Sequence, residues 1–287
     1  MAILTAAPDP HPRTPKLKAP PGACDAHIHL IGPAAKYPFA PDTPYTSREA
    51  SPEAFIDVQN TLGLATAVIV SPGAYGRDYT LLADVLAKYP RRFRGIALVK
   101  PDVADSELAR LAALGVRGVR MMSAKRGQHV PNLEPAVAAR IREHGWHIQF
   151  YPHGADIVDY ADRLLALRND IVLDHFASIP AEGGIDQPAM TTLLRMLDSG
   201  RVWVKLSGPM RCTKQNLPYP SVTPLARALV KHAPEQLVWG SDWPHVNLDG
   251  REMPNDGDLI DVLLDWVPDE ATRNRILTDN ANRLYGF

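Results

Sequence analysis

Cys24-Asp25-Ala26-His27-Ile28-His29-Leu30 is an apolar run that carries two histidines two positions apart. A strand sends alternate side chains to one face, so His27 and His29 point the same way. Such a pair at a strand end can hold a divalent metal or polarise a carbonyl. His-x-His is also what two packing histidines look like, so the rest of the chain has to decide.

Working outward, the run at 23–30 is the first of eight β-branched stretches, the others falling at 65–71, 93–99, 116–122, 147–151, 171–176, 202–206 and 237–242. Helical patterns separate them. The first runs from the Ser51 cap and Pro52 to Leu62, with Gly63 as its stop. Others are expected at 78–89, 105–114, 134–144, 155–168, 187–199 and 222–232, with tail helices at 258–267 and 270–277. Alternating strands and helices imply parallel strands joined by right-handed crossovers. The fold class is therefore α/β, a single-domain (β/α)8 TIM barrel, with its chemistry at the C-terminal strand ends. An open doubly wound sheet is the competing architecture, but the first strand is not followed by Gly-x-Gly-x-x-Gly. Residues 1–21, rich in proline and polar residues, read as an extended arm, and 22–287 as the barrel. The proline-rich loop at 31–50 carries Tyr45 and is placed to cover the barrel mouth.

The chain has 287 residues, 45% hydrophobic and 22% charged, which suffices for a core of this size. A formal net charge of −1 offers nothing to nucleic acid or to an acidic membrane surface. No apolar run approaches the ~18 residues of a membrane span, and the start lacks a signal-peptide pattern. The two cysteines, Cys24 and Cys212, form neither a metal-ligand spacing nor a disulfide framework. That usage fits a reducing cytoplasm.

Polar groups recur where a barrel enzyme would put them. The predicted strand ends carry His27 and His29, Ser71, Arg120 with Lys125 and Arg126 just beyond, Tyr151 and His153, Asp174-His175, then Lys205, Ser207 and Arg211, and finally Ser241-Asp242-Trp243-Pro244-His245. Arg117 is expected to face solvent, and His144, His147 and His232 to have structural roles.

His27-x-His29, His175 after strand six and Asp242 after strand eight resemble the amidohydrolase superfamily, in its amidohydrolase 2 branch. The stretch Trp239-Gly240-Ser241-Asp242-Trp243-Pro244-His245 is similar to the lactonases of that branch. The resemblance runs from about Gly22 to the tail Asp279-Asn280-Ala281-Asn282-Arg283-Leu284-Tyr285. It implies a hydrolase that opens a carboxylated lactone, first of all 2-pyrone-4,6-dicarboxylate, in aromatic-acid catabolism. A sugar-acid or muconolactone-type lactonase or lactone isomerase, and a metal-dependent decarboxylase, are the alternatives on this scaffold. Binuclear members use a strand-four lysine and a strand-five histidine, where this chain has Arg120 and Tyr151. A binuclear centre is thus not expected. The lactonases of the branch imply no required metal; a single zinc or manganese, if bound, would take His27, His29 and Asp242, with His175 nearby. Asp242 is then the base for water, and His27, His29 and His175 donate to the carbonyl oxygen. Arg120, Arg126, Arg211, Tyr45, Ser71 and Tyr151 are implied to hold the substrate's carboxylates. Guanidinium groups suit that task through their planar two-point fork.

Overall fold

Ser51 and Pro52 start the first helix in the expected way: the serine side chain accepts from the Ala54 N–H and the proline occupies the first turn, where no N–H is needed. Gly63 ends it at φ 74°, a left-handed position that suits a residue without Cβ. The computed structural model describes residues 3–43, 45–123, 135–248 and 250–287. Eight parallel strands follow one another in sequence order: β1 (Cys24–Ile28), β2 (Thr66–Val70), β3 (Phe93–Ala97), β4 (Val116–Met122), β5 (His147–Tyr151), β6 (Ile171–Leu173), β7 (Val202–Ser207) and β8 (Leu237–Gly240). Helices α1 (Pro52–Leu62), α2 (Thr80–Lys88), α3 (Asp105–Leu114), α4 (Pro135–Glu143), α5 (Ile157–Ala166), α6 (Pro188–Leu197) and α7 (Thr223–His232) connect them. The architecture is a (β/α)8 barrel.

β1 and β8 come together through an isolated bridge, Ile28 to Trp243, rather than a full ladder. Two hydrogen bonds close the gap, from the Asp242 N–H to the His27 carbonyl (2.9 Å) and from the His29 N–H to the Trp243 carbonyl (2.7 Å). The buried Asp25 adds a third: its Oδ1 accepts from the Ser241 N–H (3.0 Å) across the gap and from the His27 N–H (3.1 Å) of its own strand. The seam is tight because Gly240 lies on it. A Cβ there would sit 2.7 Å from the His27 nitrogen and 3.2 Å from Asp25 Oδ1.

Between Asp25 and Ile28, β1 carries one residue more than β2 opposite it. Such a bulge re-aims side chains. Cys24 and Ala26 join an apolar layer with Val68, Val70, Ile96, Val172 and Val238, while His27 and His29 turn towards Asp242.

Several expected strands end early, two of them at left-handed residues. β6 stops at Leu173 because His175, Phe176, Ala177 and Ser178 all have φ between 51° and 54°, a left-handed turn that cannot continue a strand. β8 stops at Gly240, and Asp242 is itself left-handed at φ 67°. Arg117 does not face solvent. It is half-buried and donates to the carbonyl oxygens of Tyr285, Ala112 and Val116. The helix Asp279–Tyr285 closes the floor, with Ala281 and Tyr285 packed in the apolar layer. The N-terminal arm contains a strand: Ile3–Thr5 pairs in parallel with Tyr45–Ser47. Further along, the Arg13 N–H reaches Asn255, and those of Lys16 and Leu17 reach Asp261. Among the described residues no helix is long and apolar enough to cross a membrane.

Gly240→Ala is expected to destabilise the protein by about 1–3 kcal/mol, the usual penalty for overpacking. Urea denaturation measures it, and an unchanged midpoint would show that β8 can leave β1 without loss.

Candidate active site

The bulged end of β1 aims two imidazoles at the carboxylate that follows β8. Asp242 Oδ1 lies 3.7 Å from His27 Nε2, 3.6 Å from His29 Nε2 and 3.8 Å from His175 Nε2. All four residues are buried. His175 is brought in by the left-handed turn after β6, and Gly208 makes room for it, since a Cβ there would come within 2.5 Å of His175 Nδ1. Left-handed non-glycine residues cost of order 1–3 kcal/mol each. Here two of them, His175 and Asp242, are site residues.

Each group is oriented from behind. His29 Nδ1 lies 2.7 Å from the Val70 carbonyl, and His175 Nδ1 lies 2.9 Å from Ser207 Oγ. Arg211 donates to Asp242 Oδ2 through Nε (3.2 Å) and Nη2 (2.9 Å), and is itself held by the carbonyls of Val246 and Asn247. Oδ1 is left without a hydrogen-bond partner. Burial works against ionisation of Asp242, but the charges around it, with the Arg211 guanidinium bound to Oδ2, outweigh it and hold the carboxyl below its usual range. Burial also keeps the imidazoles neutral, with His29 lowered to about 3 and His175 to about 4.

Below this layer is a second set of charges. Lys205, fully buried on β7, has its Nζ 2.8 Å from Gln149 Oε1, 3.3 Å from His27 Nδ1 and 3.5 Å from Asp174 Oδ1. Asp174 also meets Arg120 Nη2 at 3.2 Å and His27 Nδ1 at 3.2 Å. Burial lowers Lys205 to about 8, against the pull of Asp174. Lys205, Asp174 and Gln149 were not among the expected site residues. A signal was there for Lys205: it stands alone in the apolar run Val202-Trp203-Val204-Lys205-Leu206, in step with Ser207.

Of the expected substrate contacts, Arg120, Ser71, Tyr151 and Tyr45 gather round the histidines. The Arg120 guanidinium lies over the Tyr151 ring at 5.6 Å, and Tyr151 meets His175 edge-on at 5.2 Å. Arg120 Nη1 donates to the Ser71 carbonyl (3.3 Å), while Ser71 Oγ and Arg120 Nε are buried without partners. Tyr45, buried in the ladder with the N-terminal arm, has Arg120, Arg211 and Asp242 as its electrostatic neighbours. Arg126 lies outside the described residues.

The donors also suit one divalent ion. His27, His175 and Asp242 present ligand atoms within 4.8 Å of one another, and His29 Nε2 is 3.3 Å from His27 Nε2. Ligand atoms about 2.1 Å from a common ion lie roughly 3–4 Å apart, and the unpartnered Asp242 Oδ1 is a fitting anionic donor. Held by His27, His175 and Asp242, with His29 beside them, such an ion would polarise a carbonyl or acidify water.

Comparison with known proteins agrees with this geometry. The chain matches the Amidohydrolase family model over residues 24–287. It is 36% identical to the 4-sulfomuconolactone hydrolase of Hydrogenophaga intermedia, over 93% of this chain and 89% of that protein. It is 35% identical to a 2-pyrone-4,6-dicarboxylate hydrolase of Comamonas testosteroni, over 96% and 93%. The structure of a protein from Acinetobacter baumannii, assigned as a 2-pyrone-4,6-dicarboxylic acid hydrolase and solved with citric acid bound, superposes with a TM-score of 0.82 at 25% identity, covering 93% of this chain and all of that one. With its barrel, its histidine pair and its Asp242 in place, this chain belongs to the amidohydrolase family.

Proposed function

We propose that this enzyme hydrolyses a lactone bearing anionic groups, with 2-pyrone-4,6-dicarboxylate as the first candidate substrate, in aromatic-acid catabolism. One observation carries the reading: Asp242 Oδ1, Ser71 Oγ and Arg120 Nε are buried polar atoms without partners, all at the barrel mouth. Buried polar groups are normally satisfied, so these are groups that a polar ligand completes. Among the described residues, the Arg120 and Arg211 guanidinium groups flank the site, paired with Asp174 and Asp242. Guanidinium groups in that position suit an anionic substrate. Relatives named for a sulfonated and for a dicarboxylated lactone support the same class. Cys24 and Cys212 are free thiols, in keeping with a cytoplasmic enzyme.

In this mechanism Asp242 Oδ1 takes the proton of the attacking water. Arg211, bound to Oδ2, keeps the carboxylate ionised and aimed. An imidazole N–H from the histidine ring meets the carbonyl oxygen as it gains charge, a contribution of about 3 kcal/mol in comparable sites. The ring opens, and Asp242 returns its proton to the departing enolic oxygen. Arg120, Arg126, Tyr45, Ser71 and Tyr151 hold the substrate's carboxylates. No metal is required in this reading. Arg120 and Tyr151 replace the side chains a binuclear centre would need.

Asp242→Asn is expected to lower turnover ~10²–10⁴-fold, the range for loss of a general base, and near-normal turnover in the folded variant would remove Asp242 from the mechanism. Activity is expected to survive prolonged chelation; a loss restored by zinc or manganese would make this a mononuclear metallohydrolase. The equilibrium should also depend on pH. Opening the lactone frees a carboxylic acid of pKa about 4, and when the enol becomes a ketone one proton is released overall. The ratio of open acid to lactone then rises about tenfold per pH unit above that pKa. Measured from both directions, a ratio insensitive to pH would point to isomerisation instead of hydrolysis.

A further inference from the structure

Four groups form a chain whose hydrogen-bond direction is set by chemistry at one end. The Val70 carbonyl can only accept, so His29 Nδ1, 2.7 Å away, must carry a proton. In a neutral imidazole one nitrogen donates and the other accepts, which leaves His29 Nε2 an acceptor. Its hydrogen-bond partner at 3.3 Å is His27 Nε2, which must then be the donor. The accepting nitrogen of His27 is accordingly Nδ1, and it needs a donor. Two groups lie near it: Asp174 Oδ1 at 3.2 Å, which can only accept, and Lys205 Nζ at 3.3 Å. Asp174 Oδ1, although close, has no hydrogen-bond partner. Lys205 Nζ does make the bond, and Gln149 Oε1 holds it in place at 2.8 Å.

We infer that Lys205 is a positioning residue that keeps His27 in the tautomer protonated at Nε2, an N–H that bonds His29 Nε2 in this structure and turns to the reacting oxygen when substrate enters, and that denies a metal the lone pair it would need. Asp174 is the counterweight. Without the lysine, His27 Nδ1 would carry the proton and donate to Asp174, and the Nε2 lone pair would face Asp242. The role of His27 in hydrolysis rests on the function proposed above, whereas the tautomer can be read without any turnover.

The test is nitrogen-15 NMR of the full chain labelled at histidine, where two-bond correlations separate the two tautomers. In the unaltered protein His27 should be protonated at Nε2 and His29 at Nδ1. Lys205→Met should move the His27 proton to Nδ1, and Lys205→Arg, which keeps a donor, should restore it to Nε2. Zinc affinity, measured by competition with a chelator, should rise in Lys205→Met because the His27 Nε2 lone pair is freed, by about tenfold, the scale on which groups behind metal ligands act. With a carboxylated lactone, kcat of Lys205→Met should fall roughly 10²-fold, the scale for one oxyanion donor, with little change in KM. A His27 proton found at Nδ1 in the unaltered protein would overturn the inference, and that measurement decides the matter even where Lys205→Met does not fold. Absence of turnover on every carboxylated lactone would instead defeat the hydrolase reading and leave the tautomer assignment standing.

Discussion

The last joint of the barrel is where the rest of the structure is held. Seven neighbouring strand pairs are parallel ladders, two of them with a register shift. The eighth, between β8 and β1, depends on the Asp242 N–H to His27 carbonyl bond, the His29 N–H to Trp243 carbonyl bond and the Asp25 side chain. The residues that close the barrel are thus the residues of the site or their immediate neighbours. Placing Asp242 against the histidines is then the same event as completing the fold. A site built this way inherits the rigidity of the sheet, which preorganised catalysis needs.

Beneath the site, Lys205, Asp174 and Gln149 form a fully enclosed polar network that Arg120 joins from the mouth. Burying charges costs several kcal/mol per ion, and a buried ion pair is weak evidence of added stability. Lys205 touches Gln149, His27 and Asp174, so its charge acts on the imidazole above it. The apolar floor of Val68, Val70, Val172, Val238 and Tyr285 keeps water from the network's underside. Low local polarity strengthens each satisfied bond and makes each unsatisfied one expensive. Asp242 Oδ1, Ser71 Oγ and Arg120 Nε are among the buried atoms without partners, and in the proposed function a ligand completes them.

Much of this was legible in the chain. Ser51, Pro52 and Gly63 bracket α1 because capping is local chemistry. The spacing of His27 and His29 sets their common face because a strand has a period of two. Asp242 and His175 could be chosen because a polar residue at the C-terminal end of a barrel strand has little structural reason to be there. Other features were not legible. Nothing in Asp174-His175-Phe176-Ala177-Ser178 announces a left-handed turn, since no glycine marks it. The bulge in β1 depends on what β2 offers opposite, and Arg117 was misjudged because its partner, the Tyr285 carbonyl, is 168 residues away. The strand in the N-terminal arm likewise exists only against Tyr45–Ser47.

The sequence by itself determined the order of strands and helices and the parity of the two histidines, because each follows from periodicity, and its resemblance to the amidohydrolases pointed to Asp242 as the proposed base. Tertiary structure decided which nitrogen of each histidine faces inward, that Arg211 grips Asp242, and that Lys205 lies under His27. Those outcomes depend on distances of about 3 Å between β1, β2, β6, β7 and the turn after β8. Hydrogen bonds and ion pairs are short-ranged and directional, and only barrel closure brings those residues within their reach.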